Sequence, residues 1–511
     1  MLPSVRKPAR TLLVVALAGM AVSACGAVDA GLRVGDAEGI AASPTAAPTT
    51  TPAETTDPPV EATQPPPPAT DATDVPPPTP GGPVFTLDPE KPPQLYDDYL
   101  VIAVNDIQSY WRAAYPELYG EPYPELSGGI YPVYPGREGV PGCGESLTTY
   151  REIRGNAFYC FDGDFIAYDD ADLLPQLYEQ LGPVVIGVVL AHEWGHAIQR
   201  RIAYQDATIY MEQQSDCFAG AWIAHLARGE NPDLPFADAD MKGAINGMIQ
   251  VRDQPGTGAA DEAAHGTAFD RVGAFQDGFI NGAKQCATYT ATKPPVLSFG
   301  YDITAPINEQ ENAPFESTSG DPGQPNDIIS LVVDELNVFW PPLVDGMPEL
   351  ALAPYEGDPE SECSDLPEGR SLSVAFYCPG DGNVRIDLDS ARQLYGVYND
   401  FSVGYVLAAA WAEAAQSYLD SSLSGEERVL ANDCLVGAFA RSTLPIEFNP
   451  DRSETETSLS PGDLDRSRHR LVEVGDDSTD TNEFGSPFEK IDAFRTGVLG
   501  DFEACQSRFG F

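Results

Sequence analysis

The sequence predicts a mainly helical α+β protein made of two tandem copies of one structural unit. A hairpin pattern, in which residues 157–161 and 165–168 flank an Asp162-Gly163 turn, precedes several long apolar stretches of helical periodicity. The same succession of patterns returns in the second half of the chain. Eight of the nine cysteines fall in step in the two halves, which predicts that disulfides staple each copy.

Each predicted unit begins with a helix, and the hairpin and further helices follow. Helices are expected at about residues 99–113, 184–203, 209–228, 238–251 and 268–285, and the second unit begins with a helix at 327–340. The duplication is visible in pairs of segments that lie 217 to 229 residues apart: 104–111 with 333–340, 157–160 with 375–378, 187–191 with 404–408, 216–221 with 433–438, and 274–286 with 493–505.

The symmetry of the repeat also selects a disulfide pattern that cysteine spacing alone leaves open. The predicted pairs are Cys143–Cys160 and Cys217–Cys286 in the first unit, with Cys363–Cys378 and Cys434–Cys505 as their counterparts in the second.

The N-terminus has the pattern of an export signal. Basic residues precede an apolar run over residues 11–22, which is too short to span a bilayer. The run ends in Val-Ser-Ala-Cys, which resembles a bacterial lipobox and implies a lipoprotein signal peptide over residues 1–25, with Cys25 lipidated as the first mature residue. The protein is then expected on the outer face of the bacterial cytoplasmic membrane. Ordinary secretion after cleavage behind Ala24 is the alternative.

Composition divides the rest of the chain. Residues 26–94 are dominated by Pro, Thr, Ala and Asp, which predicts a disordered tether because such a segment cannot bury a core. Ordered sequence is expected from about Leu95. The first unit then covers residues 95–290, a linker covers 291–325, and the second unit covers 326–511.

The chain is strongly acidic. It has 29 basic and 78 acidic residues and a formal charge of −49. Such a surface repels nucleic acid and anionic lipid headgroups, so neither is an expected partner. The charge is instead typical of a soluble exported protein.

The second predicted helix contains His192-Glu193-Trp194-Gly195-His196 in a chain with only 5 histidines. Residues four apart lie on one helix face, so both imidazoles can bind the same metal ion. The glutamate then lies beside a water bound to that ion. The motif therefore predicts a zinc site with His192 and His196 as ligands and Glu193 as general base.

The next helix offers a third ligand. Glu212 and Asp216 are also four residues apart, and the short connection predicts that the two helices pack as an antiparallel pair. Glu212 is expected to complete the metal site. Asp216 is expected either to accept the second ring N–H of a zinc histidine or to make a structural hydrogen bond, and a solvated acidic face is the alternative for both.

These motifs together resemble the bacterial predicted neutral zinc metallopeptidases, relatives of the thermolysin-like, glutamate-ligand zincins. The resemblance covers about residues 95–288 and rests on the A-F-Y-C hairpin, H-E-W-G-H-A-I-Q, E-Q-Q-S-D-C-F-A-G-A-W, H-G-T and F-Q-D-G-F. It implies a compact zincin fold, zinc ligands at His192, His196 and Glu212, and a general base at Glu193.

The H-G-T segment of the family is matched by His265-Gly266-Thr267. A histidine near zinc can donate to the oxyanion of a tetrahedral intermediate, so the resemblance implies a catalytic role for His265. A histidine in a surface loop is the alternative.

The second unit keeps the repeat and loses the chemistry. The proposed site residues His192, Glu193, His196, Glu212 and His265 align with Ala409, Ala410, Glu413, Val429 and Phe484. Trp194 and Asp216 persist as Trp411 and Asp433, which favours packing for the tryptophan and a structural hydrogen bond for the aspartate. We therefore expect one Zn²⁺ per chain and a degenerate, non-catalytic second unit.

The sequence thus predicts a zinc-dependent endopeptidase at the extracytoplasmic face of a bacterium. A protein or peptide substrate is expected to lie along the strand over residues 165–168 by strand addition. The alternative is a non-catalytic binding or scaffold lipoprotein of the cell envelope with a zincin-like fold.

Overall fold

The computed structural model describes residues 31–33, 85–137, 142–143, 149–261, 264–299, 312–321, 325–355, 363, 374–445, 448, 458–465 and 486–511. Cys25 and most of the predicted tether therefore lie outside the described residues. Within the described part of the chain, no helix is long and apolar enough to span a membrane.

The first half of the chain is built from four strands and eight helices within the described residues. In chain order they are β1 (Gly31–Arg33), α1 (Asp97–Tyr119), β2 (Gly129–Val133), α2 (Tyr150–Ile153), β3 (Asn156–Cys160), β4 (Phe165–Asp169), α3 (Leu173–Leu181), α4 (Val184–Arg201), α5 (Thr208–Ala227), α6 (Asp238–Gln250), α7 (Ala268–Asn281) and α8 (Ala283–Thr288).

The second half repeats this order with fewer elements among the residues described. They are α9 (Ile328–Phe339), β5 (Leu352–Tyr355), β6 (Ala375–Cys378), β7 (Asn383–Asp387), α10 (Leu388–Tyr398), α11 (Asp400–Tyr418), α12 (Gly425–Ser442) and α13 (Pro487–Phe509). The protein is thus a mainly helical α+β structure with two small sheets, as the sequence predicts.

The two sheets share one topology around the predicted hairpin. β3 and β4 pair antiparallel, as do β6 and β7, and a preceding strand adds parallel to the second hairpin strand in each half. The first sheet has the order β1-β3-β4-β2. The expected addition of substrate to the strand over residues 165–168 is therefore wrong, because β4 lies between two strands that already occupy both of its edges.

Helix α4 is the central element of the first half. Sixteen of its residues, from Val184 to Gln199, are buried, so the helix is enclosed on all faces. It packs against α5, α1, α3, α6 and β3. A polar motif inside such a helix costs free energy unless its groups find partners, and this requirement shapes the site described below.

Helices α5 and α7 cross at van der Waals distance because each contributes a glycine. A Cβ at Gly220 would lie 2.0 Å from the Phe275 carbonyl oxygen, and a Cβ at Gly278 would lie 1.8 Å from the Cys217 carbonyl oxygen. Gly437 and Gly497 make the same crossing between α12 and α13. The repeated glycines therefore set the same helix separation in both halves.

All four predicted disulfides are confirmed. The structure joins Cys143–Cys160, Cys217–Cys286, Cys363–Cys378 and Cys434–Cys505. In each half, one disulfide joins a cysteine that precedes the hairpin to the first hairpin strand. The other disulfide joins α5 to α8 in the first half and α12 to α13 in the second. Because these bonds close loops in the unfolded chain, they favour the folded state.

Described residues on both sides of the predicted first unit pack on it. On the N-terminal side of Leu95, residues 31–33 pair with β3, the Asn105 side chain hydrogen-bonds the backbone of Phe85, and Lys91 forms a buried ion pair with Asp170. The part of the predicted linker next to the first unit also packs on it, since Leu297 N donates to Asp270 Oδ1.

The predicted last helix of the first unit is also interrupted. It divides into α7 and α8 because Gly282 adopts a φ of +72°, a left-handed conformation that breaks the helical hydrogen-bond ladder. In the second half, the equivalent position in α13 is Asp501, which also has a positive φ of 75°.

The glycine crossing yields a stability prediction. Gly278→Ala forces α5 and α7 apart and should lower the free energy of unfolding by about 3 kcal/mol, a typical cost of overpacking. Denaturant titration of the full chain measures the change. Gly396→Ala is the matched control because Gly396 lies within α10 with open space around it, so the added methyl should be neutral or slightly stabilising. Equal stability of the wild type and Gly278→Ala would contradict the close crossing.

Candidate metal centre

Three predicted ligands meet between α4 and α5. His192 and His196 lie one turn apart on α4, and Glu212 faces them from α5; all three side chains are fully buried. Nε2 of His192 is 3.2 Å from Glu212 Oε2, and Nε2 of His196 is 3.3 Å from Glu212 Oε1. The helices thus direct two imidazole nitrogens and one carboxylate towards a common point.

This set fits a metal ion. The potential ligand atoms of His192, His196 and Glu212 lie within 4.8 Å of one another. None of the four inward atoms has a hydrogen-bond partner within the part of the chain that the structure describes. Buried polar atoms without partners are costly, and a cation at their centre would satisfy all of them.

The outward ring nitrogen of His192 contacts Asp216. Its Nδ1 lies 2.7 Å from Asp216 Oδ1, and an ionised carboxylate can only accept, so Nδ1 carries the proton. This hydrogen bond leaves the Nε2 lone pair facing Glu212 when the ring is neutral. The structure therefore places Asp216 in the position expected of a residue that orients a metal-binding histidine.

The outward ring nitrogen of His196 is held by neutral groups. Its Nδ1 lies 3.0 Å from Gln199 Oε1 and 3.1 Å from Ser215 Oγ. The Gln199 amide in turn donates to the Met211 carbonyl oxygen at the start of α5. Both histidines therefore have their inward nitrogens free to act as ligands.

Arg271 is a member of this site that the sequence did not reveal. It lies on α7, is fully buried, and donates to Asp216 from Nε to Oδ2 and from Nη2 to Oδ1, each at 2.8 Å. Its Nη2 also lies 3.9 Å from Glu212 Oε2. The only sign of it in the sequence is that a basic residue interrupts the apolar pattern of α7. Lys490 is the basic residue at the equivalent position in the second half.

Charges inside the site shift its pKa values in opposite directions. Burial alone would raise the pKa of Glu212, but the charges of His196 and His265 hold it well below its usual value. Burial would likewise raise the pKa of Asp216, and Arg271 lowers it instead. Both carboxylates are therefore ionised at neutral pH and can act as a ligand and as a hydrogen-bond acceptor.

Glu193 has the opposite electrostatic environment. It is fully buried, and its burial raises the pKa of the carboxyl well above the usual value, opposed by the charge of His192. The charge of Glu212 raises the pKa further, and the nearby backbone of Tyr159 lowers it. This environment favours the protonated carboxyl, as expected of a group that holds a proton and returns it.

His265 lies in the loop before α7 and faces the site. Its backbone N–H donates to Asp253 Oδ2 at 2.7 Å, and its Nδ1 lies 3.2 Å from Asp253 Oδ1. Burial lowers the pKa of the imidazole, but the nearby charges of Glu212 and Asp253 raise it above its usual value overall. The side chain keeps 12% of its surface exposed, so it lies at the edge of the buried cluster.

Trp194 packs in the core, as the comparison of the two halves predicts. Its ring is fully buried, and its Nε1 donates to the Tyr123 hydroxyl at 2.7 Å. Trp411 is equally buried in the second half and donates to Asn337 Oδ1.

The equivalent position in the second half is closed by an ion pair. Glu413, which aligns with His196, accepts from Arg428 Nε and from Asn432 Nδ2, each at 2.7 Å. Asp433 keeps the place of Asp216 but is hydrogen-bonded by the Tyr405 hydroxyl. Among the described residues, the first-half group is the only cluster of three side chains suited to a metal ion. Phe484, which aligns with His265, lies outside them.

Bacterial proteins share part of this sequence. The chain is 31% identical over 171 residues to the uncharacterized protein YpfJ of Escherichia coli strain K12, a match that covers 29% of this chain and 57% of YpfJ. It is 28% identical over 220 residues to the uncharacterized proteins Mb2605 of Mycobacterium bovis and Rv2575 of Mycobacterium tuberculosis, covering 38% of this chain and 70% of each. The chain therefore spans little more than half of YpfJ. No protein-family model and no solved structure matches it.

The asymmetry between the halves predicts one tight metal site per chain. His196→Ala removes a ligand and should weaken binding of zinc by at least about a hundredfold. Glu413→Gln is the matched control at the aligned position and should leave the affinity unchanged. Zinc titration with a competing chelator measures both. Binding of two equivalent ions, or equal loss in both variants, would contradict the assignment.

Metal binding should also release protons. Burial lowers the pKa of His192, but Asp216 and Glu212 outweigh it and raise the pKa to about 10 in the metal-free protein. At pH 7 the ion must therefore displace a proton from this ring, and the apparent affinity should rise with pH up to about 10. Calorimetry in buffers of different ionisation enthalpy measures the proton count. A binding enthalpy that is independent of the buffer would contradict a protonated metal-free site.

Proposed function

We propose that the first half of this protein is a zinc-dependent endopeptidase, and that both halves have a zincin-like fold in which only the first retains the chemistry. The single observation that carries the proposal is the fully buried group of His192, His196 and Glu212 with Glu193 beside it. It agrees with the resemblance to the predicted neutral zinc metallopeptidases.

The donor set favours zinc in a catalytic role. Two imidazole nitrogens and one carboxylate form a ligand set that zinc prefers, whereas structural zinc sites use four protein ligands. Three protein ligands leave a position for water or substrate. A zinc ion held there supplies Lewis-acid chemistry, which activates water and polarises the carbonyl of a peptide bond.

Glu193 is the proposed proton carrier. Its carboxyl takes a proton from the attacking water and returns it to the leaving amine. The raised pKa that burial gives this group supports the second step, because a weaker acid holds the proton until the amine needs it.

The other residues of the site orient the proposed ligands and stabilise the charge that develops on the substrate. Arg271 holds Asp216, and Asp216 holds the ring of His192 in the orientation that a ligand needs. Asp253 orients His265 at the edge of the cluster, where an imidazolium can donate to the oxyanion that forms at the carbonyl. These side chains give the site its geometry before substrate binds.

A peptide substrate is proposed to pair with the outer edge of β3, where it has to displace residues 31–33, because β4 is covered on both edges by β2 and β3. β3 packs against α4, the helix that carries the proposed base Glu193. Residues 31–33 of the chain itself pair antiparallel along its outer edge. An extended peptide held in this way presents its carbonyl groups at regular intervals, while pockets for alternate side chains select the sequence.

The proposed location is the outer face of the bacterial cytoplasmic membrane, with Cys25 as the lipid anchor and secretion as the alternative. The four disulfides support export, because such bonds persist in oxidising compartments.

The decisive variant is Glu193→Gln, which keeps the shape of the side chain and removes its base. The zinc-loaded mature chain is incubated with a library of quenched fluorescent peptides. Glu193→Gln should bind zinc as the wild type does and cleave about a thousandfold more slowly. Glu413→Gln is the control for a glutamine introduced on the equivalent helix, and it should cleave at the wild-type rate.

Two outcomes would overturn the proposal. Equal cleavage by the wild type and Glu193→Gln would exclude Glu193 as the base. Stoichiometric zinc without cleavage of any peptide would instead favour a binding or scaffold protein of the cell envelope.

A further inference from the structure

The two halves meet along α7, the helix that carries Arg271. On this surface, Arg495 of α13 donates to Asp277 Oδ1 at 2.8 Å, and Gln276 Nε2 donates to the Phe488 carbonyl oxygen at 2.9 Å. Gly273 makes room for Arg495, because a Cβ there would lie 2.5 Å from its Nε. Helix α7 is therefore held between α5 of the first half and α13 of the second.

Asp465, a buried carboxylate of the second half, contacts two segments of the first half that lie next to the candidate site. Asp465 keeps only 5% of its side chain exposed. Its Oδ1 accepts from the backbone N–H of Phe269 in the first turn of α7 at 3.1 Å, and its Oδ2 lies 3.3 Å from Arg252 Nε. Gly462 of the same segment packs against Pro255.

Those two segments hold His265 between them. Asp253 follows Arg252 directly, and its Oδ2 accepts from the backbone N–H groups of His265 and Gly266 at 2.7 and 2.8 Å. Arg271, two residues after Phe269, donates to the Val251 carbonyl oxygen at 2.6 Å. Asp465 therefore connects Arg252, the neighbour of Asp253, with the start of α7, which leads to Arg271. Asp253 orients His265, and Arg271 orients Asp216.

We propose that Asp465 is a positioning residue through which the non-catalytic half fixes the orientation of His265 in the first-half site. This inference rests on the proposed function, and it assigns a role to the second copy. Among the described residues of the second half, none is a proposed ligand or proton carrier. Its Asp465 holds the segment 252–255 against the start of α7, and this contact keeps His265 at a fixed distance from Glu212.

The buried location explains why this contact is effective. A charged hydrogen bond to a backbone N–H at a helix start satisfies a donor that has no partner within the helix, and it also interacts favourably with the helix dipole. Because Asp465 contacts Arg252 as well, loss of its carboxylate releases two segments at once. A displacement of about 1 Å in a group that contacts the reacting atoms is enough to reduce a catalytic rate severely.

The test uses the full chain with zinc bound and three single variants. Asp465→Ala removes both contacts, and Asp465→Asn keeps an acceptor for the Phe269 N–H. Arg495→Gln breaks another ion pair of the same interface without touching the His265 segments. Histidine-selective isotope labelling gives at most five ring signals, because the chain has 5 histidines, and His265→Gln assigns the one that matters.

The expected results distinguish a positioning role of Asp465 from a general weakening of the interface between the two halves. Asp465→Ala should shift the His265 ring signals and lower kcat about tenfold with KM within about twofold, while zinc content stays at one per chain. Asp465→Asn should restore most of both properties. Arg495→Gln should leave the His265 signals and kcat unchanged.

Unchanged His265 signals in Asp465→Ala would overturn the proposal, and so would an equal effect of Arg495→Gln. The ring signals report on the position of His265 without any substrate. If the protein cleaves no peptide, the proposed function fails while these signals still decide the role of Asp465.

Discussion

The candidate site depends on one buried carboxylate, Asp216, which is shared between His192 and Arg271. The histidine would have no fixed tautomer without it, and the buried guanidinium of Arg271 would lose the carboxylate to which it donates two hydrogen bonds. Breaking such a pair by removing one member typically costs about 3–5 kcal/mol. The carboxylate also ties three helices together, because its partners lie on α4 and α7 while it lies on α5 itself. Metal binding and the packing of the first half are therefore parts of the same network.

The second half shows which features of the fold persist when the metal-binding residues are replaced. It keeps the glycine crossing between its last two long helices and both disulfides. It replaces the metal-binding set by a neutralised pair, in which Glu413 is bound by Arg428 and Asn432. Asp433 persists with a tyrosine as its partner. The fold and the site are therefore separable, and the retained copy is free to serve as a support for α7.

The sequence predicted those parts of the molecule that local spacing determines. The i, i+4 pattern places His192 and His196 on one face of any helix, and the internal repeat selected the disulfide pairs. It did not reveal Arg271, which lies 55 residues from Asp216 and reaches it only because α7 crosses α5 closely. It also misjudged the accessibility of β4, since the strand that covers its second edge, β2, lies before the hairpin in the chain. Strand order and helix crossing are tertiary properties that periodicity does not encode.

The catalytic zinc site is tested most directly by anomalous diffraction at the zinc absorption edge from crystals of the zinc-loaded chain. One peak per chain is expected, about 2.0–2.1 Å from Nε2 of His192 and Nε2 of His196 and within ligand distance of Glu212, with a fourth position that no protein group fills. A peak coordinated by four protein side chains, a peak in the second half, or no peak between α4 and α5 would contradict a catalytic zinc site.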